Sequence, residues 1–426
     1  MSDSLARVIV AGGSLGGLNA ALWLRDAGCE VEVFERSHKP LEGQGAGIVL
    51  NPATTRWFDQ HDSDEPVGVP ARYVRYLDRD GGVAAELPHA YLFSSYDTLY
   101  RRVLAAFGHE HYHLGEEVVS ADTADAAVTV RLASGEARTA DLLVWADGIR
   151  STGRRQLLPD VAIRYAGYIA WRGTVEPARL SDDTNAALED AITYCVLDHS
   201  HALTYPIPTT NGSTVNWLWY RNTHDLNVIL TDRTGQRREV SIPAGAVPEA
   251  RIAELRAAAG EQLPAPLVDL VSHTAEPFLQ AVFDIEVPRM AFQRQCLIGD
   301  AAFAARPHAA AGSAKAAEDG YRLAFAIRDT HGDVPAALAR WEPAQLQLGH
   351  SVLARTREAG DSSQFHGTWM VGDPLPFGLY EVGDSIVTPA SPNYKNLARR
   401  TSDAPAGFRS ASRAESYVGN DRTPPS

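Results

Sequence analysis

The sequence predicts an α/β fold in which a parallel sheet is assembled from separate stretches of chain and interrupted by a mostly β domain. Three observations predict it. A β-branched run, Arg7 to Ala11, leads directly into a glycine-rich turn, Gly12-Gly13-Ser14-Leu15-Gly16-Gly17. Two more short apolar runs, Asp141 to Trp145 and Cys296 to Ile298, end shortly before Asp147 and Asp300. Between them, Tyr194 to Tyr220 is rich in aromatic and alternating residues, as antiparallel sheet requires.

Arg7 to Ala11 has the continuous apolar character of a buried parallel strand. Leu15, Leu18, Ala21, Leu22 and Leu24 share one face at helical spacing, and Gly28 stops that helix. Val31 to Glu35 reads as the next strand. In the β-rich stretch, hairpin turns are expected around Pro206-Ile207-Pro208 and Asn211-Gly212. Helical patterns run from Ile252 to Ala259 and from Ala314 to Trp341. No internal repeat is visible. Beyond residue 402, Ser, Arg, Pro and Ala dominate, which predicts a loosely held tail over 402–426.

A length of 426 residues suggests two or three domains. A net charge of -14 argues against nucleic acid or an anionic membrane as partner. Cys29, Cys195 and Cys296 lie far apart with no C-x-x-C pair. That pattern predicts a reducing cytoplasm, no disulfide framework and no metal site. There is no run of 18 apolar residues, so no membrane span is expected. The first residues pass straight into a strand and leave no room for a secretory signal.

The glycine turn carries the first functional signal. Gly12 permits a tight turn, and Gly17 permits a helix to pack closely on the strand. The helix start then offers free N–H groups and a positive dipole end to a pyrophosphate. Ser14 stands where the full fingerprint has its second glycine; it is small, and its hydroxyl can donate. Glu35 ends the second strand about 20 residues on, placed to accept from ribose hydroxyls. Together these features predict a Rossmann-like dinucleotide site.

Two further motifs specify the class. Asp141-Leu142-Leu143-Val144-Trp145-Ala146-Asp147-Gly148-Ile149-Arg150-Ser151 has the form D-L-L-V-x-A-D-G-x-x-S. Leu297-Ile298-Gly299-Asp300-Ala301-Ala302 is followed by Pro307, Gly312 and Glu318-Asp319. With the glycine turn, in this order, they resemble the aromatic flavoprotein monooxygenases, the para-hydroxybenzoate hydroxylase family. The resemblance spans roughly residues 5 to 350. Within the family, Tyr165-Ala166-Gly167-Tyr168, Trp171-Arg172-Gly173, Tyr205-Pro206-Ile207-Pro208 and Arg306 to Gly312 are similar to hydroxylases of dihydroxylated pyridine rings.

The resemblance implies a discontinuous Rossmann-like FAD-binding domain (1–75, 96–165 and 285–345) with an inserted, mostly β substrate domain (76–95 and 166–284). A helical or irregular segment follows over 346–401. It implies FAD as cofactor, NADH or NADPH as transient donor, and O2 as oxidant. The product is a hydroxylated small aromatic or pyridine ring, formed through a flavin C4a-hydroperoxide. It places Gly12, Ser14, Leu15 and Gly17 around the pyrophosphate and Glu35 and Arg36 at the adenosine ribose; by the same resemblance Arg101 reaches the cofactor from the helix after Tyr96, and Val119 offers its backbone to the adenine. Asp147 and Gly148 serve FAD and donor access, Asp300 the ribityl chain, and Gly312, Ser313 and Ala314 the flavin pyrimidine edge. Phe303 and Ala314 depart from the His and Asn of many relatives, so only backbone contacts carry over there. Relatives are often homodimers.

His308 is the candidate proton acceptor or hydrogen-bond partner of the substrate, because neutral imidazole suits a phenol near pH 7. Tyr205 is the second candidate, with His201, Trp219 and Tyr168 weaker ones. His109, His111 and His113 alternate like strand-borne ligands, but no carboxylate or Cys at metal spacing accompanies them. Rival readings are a tailoring hydroxylase or Baeyer–Villiger-type enzyme and a flavin-binding sensor without turnover. A halogenase would need Ile-Pro after Trp217-Leu218-Trp219 and a catalytic Lys.

Overall fold

The computed structural model describes residues 4–43, 47–61, 67–124, 126–210 and 212–388. Strand Arg7–Ala11 lies within a six-stranded sheet, paired in parallel with Glu30–Glu35 on one side and Leu142–Trp145 on the other. Tyr112–Leu114 and Gln295–Leu297 extend the sheet in parallel, and Ala291–Phe292 adds an antiparallel edge. The strands that end at the glycine turn, at Asp147 and at Asp300 are therefore neighbours. Their apolar runs are continuous because these strands are fully buried; Val10, Leu143, Val144 and Leu297 are all 0% exposed.

Two glycines hold this arrangement together. Gly12 has φ +108°, and a Cβ there would lie 2.4 Å from the Ala146 carbonyl oxygen. A Cβ on Gly17 would lie 1.9 Å from the Gly12 oxygen. Helix Leu15–Asp26 thus packs against its own turn at a distance only glycine allows.

The helix expected over Ala314 to Trp341 is in fact two, Gly312–Asp329 and Val334–Asp361. The chain turns at His331 (φ +53°) and Gly332 (φ +85°). The Asp333 side chain then caps the second helix, accepting from Ala336 N, and Pro335 sits in the first turn. Both helices bury apolar faces in the same core, so the apolar pattern continues across the break.

An eight-stranded sheet, drawn from residues 73–87 and 164–284, forms the second body. Strand Arg164–Val175 pairs antiparallel with Gly212–Asn222 and with Phe278–Asp284. One face carries Ile169, Trp171, Trp217 and Trp219 beneath helices Glu249–Gln262 and Ala265–His273. The other face carries Tyr168, Ala170, Leu218 and Tyr220.

Pro206-Ile207-Pro208 forms no hairpin turn. It lies inside strand Ser200–Thr209, paired to Val215, Thr214 and Ser213. The neighbour on the other side, Ala191–Leu197, reaches only Thr204, so the two prolines lie along an open edge where a missing N–H breaks no ladder. The ladder closes at Thr209↔Gly212; Asn211 itself and the tail over 402–426 lie outside the described residues.

Gly17→Ala should cost on the order of 2 kcal/mol or more, because the obstructing atom is backbone oxygen. Chemical denaturation checks this, and an unchanged midpoint would contradict the close packing.

Candidate active site

Residues from both large sheets line one cleft of about 1690 Å³. A pocket for a single small ligand occupies roughly 300–1,000 Å³, so this cleft has room for more than one group.

At one end stand Gly12, Ser14, Leu15, Gly16, Glu35 and Arg36. The buried Glu35 carboxylate accepts from Gly13 N (2.8 Å) through one oxygen and from Ser37 N (2.9 Å) through the other. It fixes the glycine turn, while each oxygen keeps a lone pair for another donor. The Ser14 hydroxyl lies 2.8 Å from the Tyr96 hydroxyl and caps no N–H of its helix. Burial pushes Tyr96 up to about 12, so it stays a phenol. Tyr112 donates to the Gly13 carbonyl at 3.0 Å.

Helix Leu15–Asp26 begins with no capping side chain and no acidic residue in its first turn. The same holds for Gly312–Asp329, whose Gly312 and Ser313 line the same cleft. Two uncapped helix starts therefore offer free N–H groups and positive dipole ends to one space. Asp147, Gly148 and Asp300 line the wall as well. Asp147 accepts from Thr152 N (2.6 Å) and Gly153 N (3.3 Å), while its other oxygen is buried without a partner. Burial raises the Asp147 pKa. Asp300 is exposed to the cleft, with Lys315 and Arg154 as its nearby positive charges. Donors for phosphates, acceptors for hydroxyls and the volume of the cleft together fit a dinucleotide.

At the other end the sheet face supplies Tyr194, His201, Tyr205 and Tyr220. A loop adds His308, and the C-terminal segment adds Trp369 and Phe377. His201 sits opposite Tyr220 in the sheet. Their ring centres are 4.6 Å apart, with His308 5.0 Å from Tyr220 and Trp369 4.8 Å from His201. His308 Nε2 lies 2.7 Å from the Tyr168 hydroxyl. Burial, reinforced by Arg306, pushes His308 down to about 3. Burial and the neighbouring His308 hold His201 well below its ordinary value. Both imidazoles are neutral at pH 7. Arg306, behind them, is bound by Asp284 (3.1 Å) and Asp361 (2.6 Å).

The remaining sequence candidates fall elsewhere. Gly17 and Ala314 pack behind the cleft lining. Arg101 lies outside the cleft lining and pairs with Glu42 (3.3 Å) and Asp97 (3.1 Å). Val119 is 39% exposed, and its neighbours Glu117 and Val118 line the cleft. Trp219 is on the opposite sheet face, donating to Ser200 Oγ at 3.0 Å. His113 stacks on Phe34 and meets Glu32 at 3.2 Å. Tyr205 lines the cleft while stacked on Phe93 at 4.5 Å.

Comparison with known proteins settles the class. Residues 165–284 match a family model described as FAD binding domain-like. The chain is 37% identical, over 91% of its length and 100% of the relative's, to 2,6-dihydroxypyridine 3-monooxygenase of Paenarthrobacter nicotinovorans. The chain belongs to the FAD-dependent aromatic monooxygenases. The solved 2,6-dihydroxypyridine-3-hydroxylase of Arthrobacter nicotinovorans superposes with a TM-score of 0.85 at 35% identity, covering 92% of this chain and 100% of that one. Klebsiella pneumoniae HpxO, solved with FAD and uric acid, shares the fold at a TM-score of 0.70 and 24% identity, covering 84% and 89%. As a member of this family the monooxygenase takes FAD as cofactor and NAD(P)H as donor.

Among the residues of this monooxygenase's cleft that the sequence reading did not single out are Tyr220, Arg172 and Trp369. For these, the signal differs. Strand alternation held the signal for the first two. Tyr220 and Leu218 share a face opposite Trp219, and Arg172 is in phase with Tyr168. Trp369 carries no local signal, because its segment reaches the sheet from far along the chain.

Asp300→Ala should purify with less bound flavin than the wild type at equal folded content. Normal flavin occupancy, read from the visible absorbance, would remove Asp300 from the cofactor site.

Proposed function

We propose that this monooxygenase hydroxylates a small hydroxylated pyridine or related ring, of the 2,6-dihydroxypyridine type. The observation that carries the proposal is the box of His201, His308, Tyr220 and Trp369, in which two neutral imidazoles 5.4 Å apart face a space walled by aromatic rings. Flat walls suit a flat ring, and neutral imidazoles suit ring hydroxyls or ring nitrogen. The relative that shares 37% identity bears a name specifying that substrate.

In this reading Gly12, Ser14 and Leu15 surround the pyrophosphate of FAD, Gly17 holds their turn from behind, and Glu35 and Arg36 hold the adenosine ribose. At the adenine end the cleft is bordered by Glu117 and Val118, next to Val119. Asp147, Gly148 and Asp300 contact the middle of the cofactor, while Gly312, Ser313 and Ala314 present a helix start to the flavin. The chemistry FAD supplies when bound is acceptance of hydride from NAD(P)H and activation of O2. The protein's part is to orient the ring, exclude water and manage protons. Tyr168, kept a phenol by burial, shares a hydrogen bond with His308 Nε2. A base held near 3 does not strip a phenol unaided. His308 is therefore a neutral hydrogen-bond partner of a ring hydroxyl, and Tyr205 bounds the ring laterally. Among the described residues no helix is long and apolar enough to cross a membrane. The three buried free cysteines support a cytoplasmic setting.

The test is oxidation of NADH and NADPH by the flavin-loaded protein, with and without 2,6-dihydroxypyridine. Substrate-stimulated oxidation and a product heavier by one oxygen support the reading; oxidation without stimulation overturns this substrate class. His308→Ala should uncouple donor oxidation from hydroxylation while flavin stays bound, and full coupling would remove His308 from the site.

The neutral histidines also set an acid limit. Unfolded, a histidine ionises below its ordinary 6.5; folded, His308 resists protonation down to about 3. The unfolded state binds more protons in that window, so stability is lost as pH falls from 6.5 toward 3. His308→Gln should flatten that decline in denaturation midpoints measured across the window.

A further inference from the structure

The cleft face of the eight-stranded sheet forms a grid. Along Arg164–Val175, Tyr168, Ala170 and Arg172 share one sheet face, and of these Arg172 lines the cleft. Arg172 stands opposite Leu218, and Ala170 stands opposite Tyr220, which in turn faces His201. Side chains opposed on one sheet face lie about 5 Å apart. Ala170 itself is buried beneath the lining, and Arg172, Leu218, Tyr220 and His201 are the members of this grid that reach the cleft.

Its charge is uncompensated. Among the described residues, the Arg172 guanidinium makes no hydrogen bond and no ion pair, and its Nε is sealed from water without an acceptor. None of the described carboxylates along the cleft pairs with Arg172, and three of them are engaged elsewhere. Glu35 holds Gly13 N, Glu239 pairs with Arg150 at 2.7 Å, and Asp361 pairs with Arg306. Arg306 is thereby neutralised; Arg355 donates through Nη2 alone to the carbonyls of Gly378 and Leu379, and its Nε and Nη1 are buried without hydrogen-bond partners. The titratable groups facing Arg172 are Tyr220 from the adjacent strand, Tyr205 and His201 from the next, and Tyr168 from its own. Strand Phe278–Asp284 contributes the neutral Phe278 and Gln280. The guanidinium opposes the burial-driven rise of both Tyr205 and Tyr220, which places its positive field inside the aromatic box. No protein anion answers it.

We infer that Arg172 recognises the ring through an oxyanion, so that the enzyme selects its substrate in the deprotonated form. The inference rests on the reading of the aromatic end as the substrate site and specifies the ionisation state that this site takes. An unpaired guanidinium beside an apolar box is costly, and an oxyanion in hydrogen-bond contact relieves that cost as a neutral hydroxyl does not. A planar fork of donors also fixes the plane of the ring. Deprotonation by His308 is then unnecessary, because the electron-rich anion arrives already formed. The neutral imidazoles bind the remaining polar edge.

The test uses 4-nitrophenol, whose phenolate alone absorbs strongly in the visible, titrated into flavin-loaded wild type, R172Q and R172K on both sides of the probe's ionisation. The wild type is expected to favour phenolate and to draw the bound probe's ionisation to lower pH. R172Q should lose phenolate affinity by roughly 10- to 100-fold, with neutral-phenol affinity changed less than about twofold. R172K should recover part of the loss. An equal phenolate-to-phenol ratio in R172Q and wild type overturns the inference. So does a wild-type-bound probe that ionises as it does in free solution, or one that does not bind as phenolate. Flavin occupancy reports folding in each variant. The probe does not depend on turnover of 2,6-dihydroxypyridine, so failure with that ring and failure of Arg172 are separate results.

Discussion

A buried ion pair fixes the geometry on which the cleft depends. Lys315 Nζ lies 2.7 Å from Asp319, with the two side chains 3% and 0% exposed. Asp319 also accepts from Gly299 N at 2.9 Å, and its carbonyl accepts from Trp341 Nε1 at 3.0 Å. One residue thus joins the loop after strand Gln295–Leu297 to helix Gly312–Asp329 and to the helix that follows. A buried pair of this kind is weak as a source of stability, because two charges have been desolvated. Its effect is positional. It sets where Asp300 leaves the sheet and where the start of the second helix points.

That placement resolves an apparent conflict in charge. The chain carries a net charge of -14, yet its cleft is built to receive an anionic cofactor. The attraction does not come from lysines, of which the chain has three. It comes from two helix starts without capping side chains or first-turn acids, both opening on the same space. The Glu35 carboxylate is partly offset by the N–H groups of Gly13 and Ser37 that it accepts from. Local backbone dipoles outweigh a distant surface charge that solvent screens.

The glycine turn and the strand-end acids were legible in sequence because their chemistry is local. Gly12 and Gly17 are demanded by backbone approach, whatever surrounds them. The aromatic end was only half legible. Tyr205 and His308 lie in recognisable stretches, but Trp219 faces the wrong way and Tyr220 the right way, a one-residue difference that only register settles. Pro206 and Pro208 signalled a turn because proline is a poor strand residue, and the open edge that tolerates them is a tertiary fact. The break at His331-Gly332 was hidden because both flanking helices bury their apolar faces in one core.

The aromatic box gives one physical cause two consequences. Enclosing His201 and His308 among Tyr220, Trp369 and Tyr168 removes the water that a hydroxylating site must exclude. The same enclosure makes a charged imidazole unfavourable, so neither histidine carries positive charge or acts as a strong base at working pH. A site closed this tightly cannot both stay dry and rely on its histidines to generate an anion. The charge must come from a group that does not lose its proton on burial, and guanidinium is the side chain that meets this condition. Arg172, on the sheet face beside Tyr220 and without a protein counter-ion among the described residues, is placed for that task.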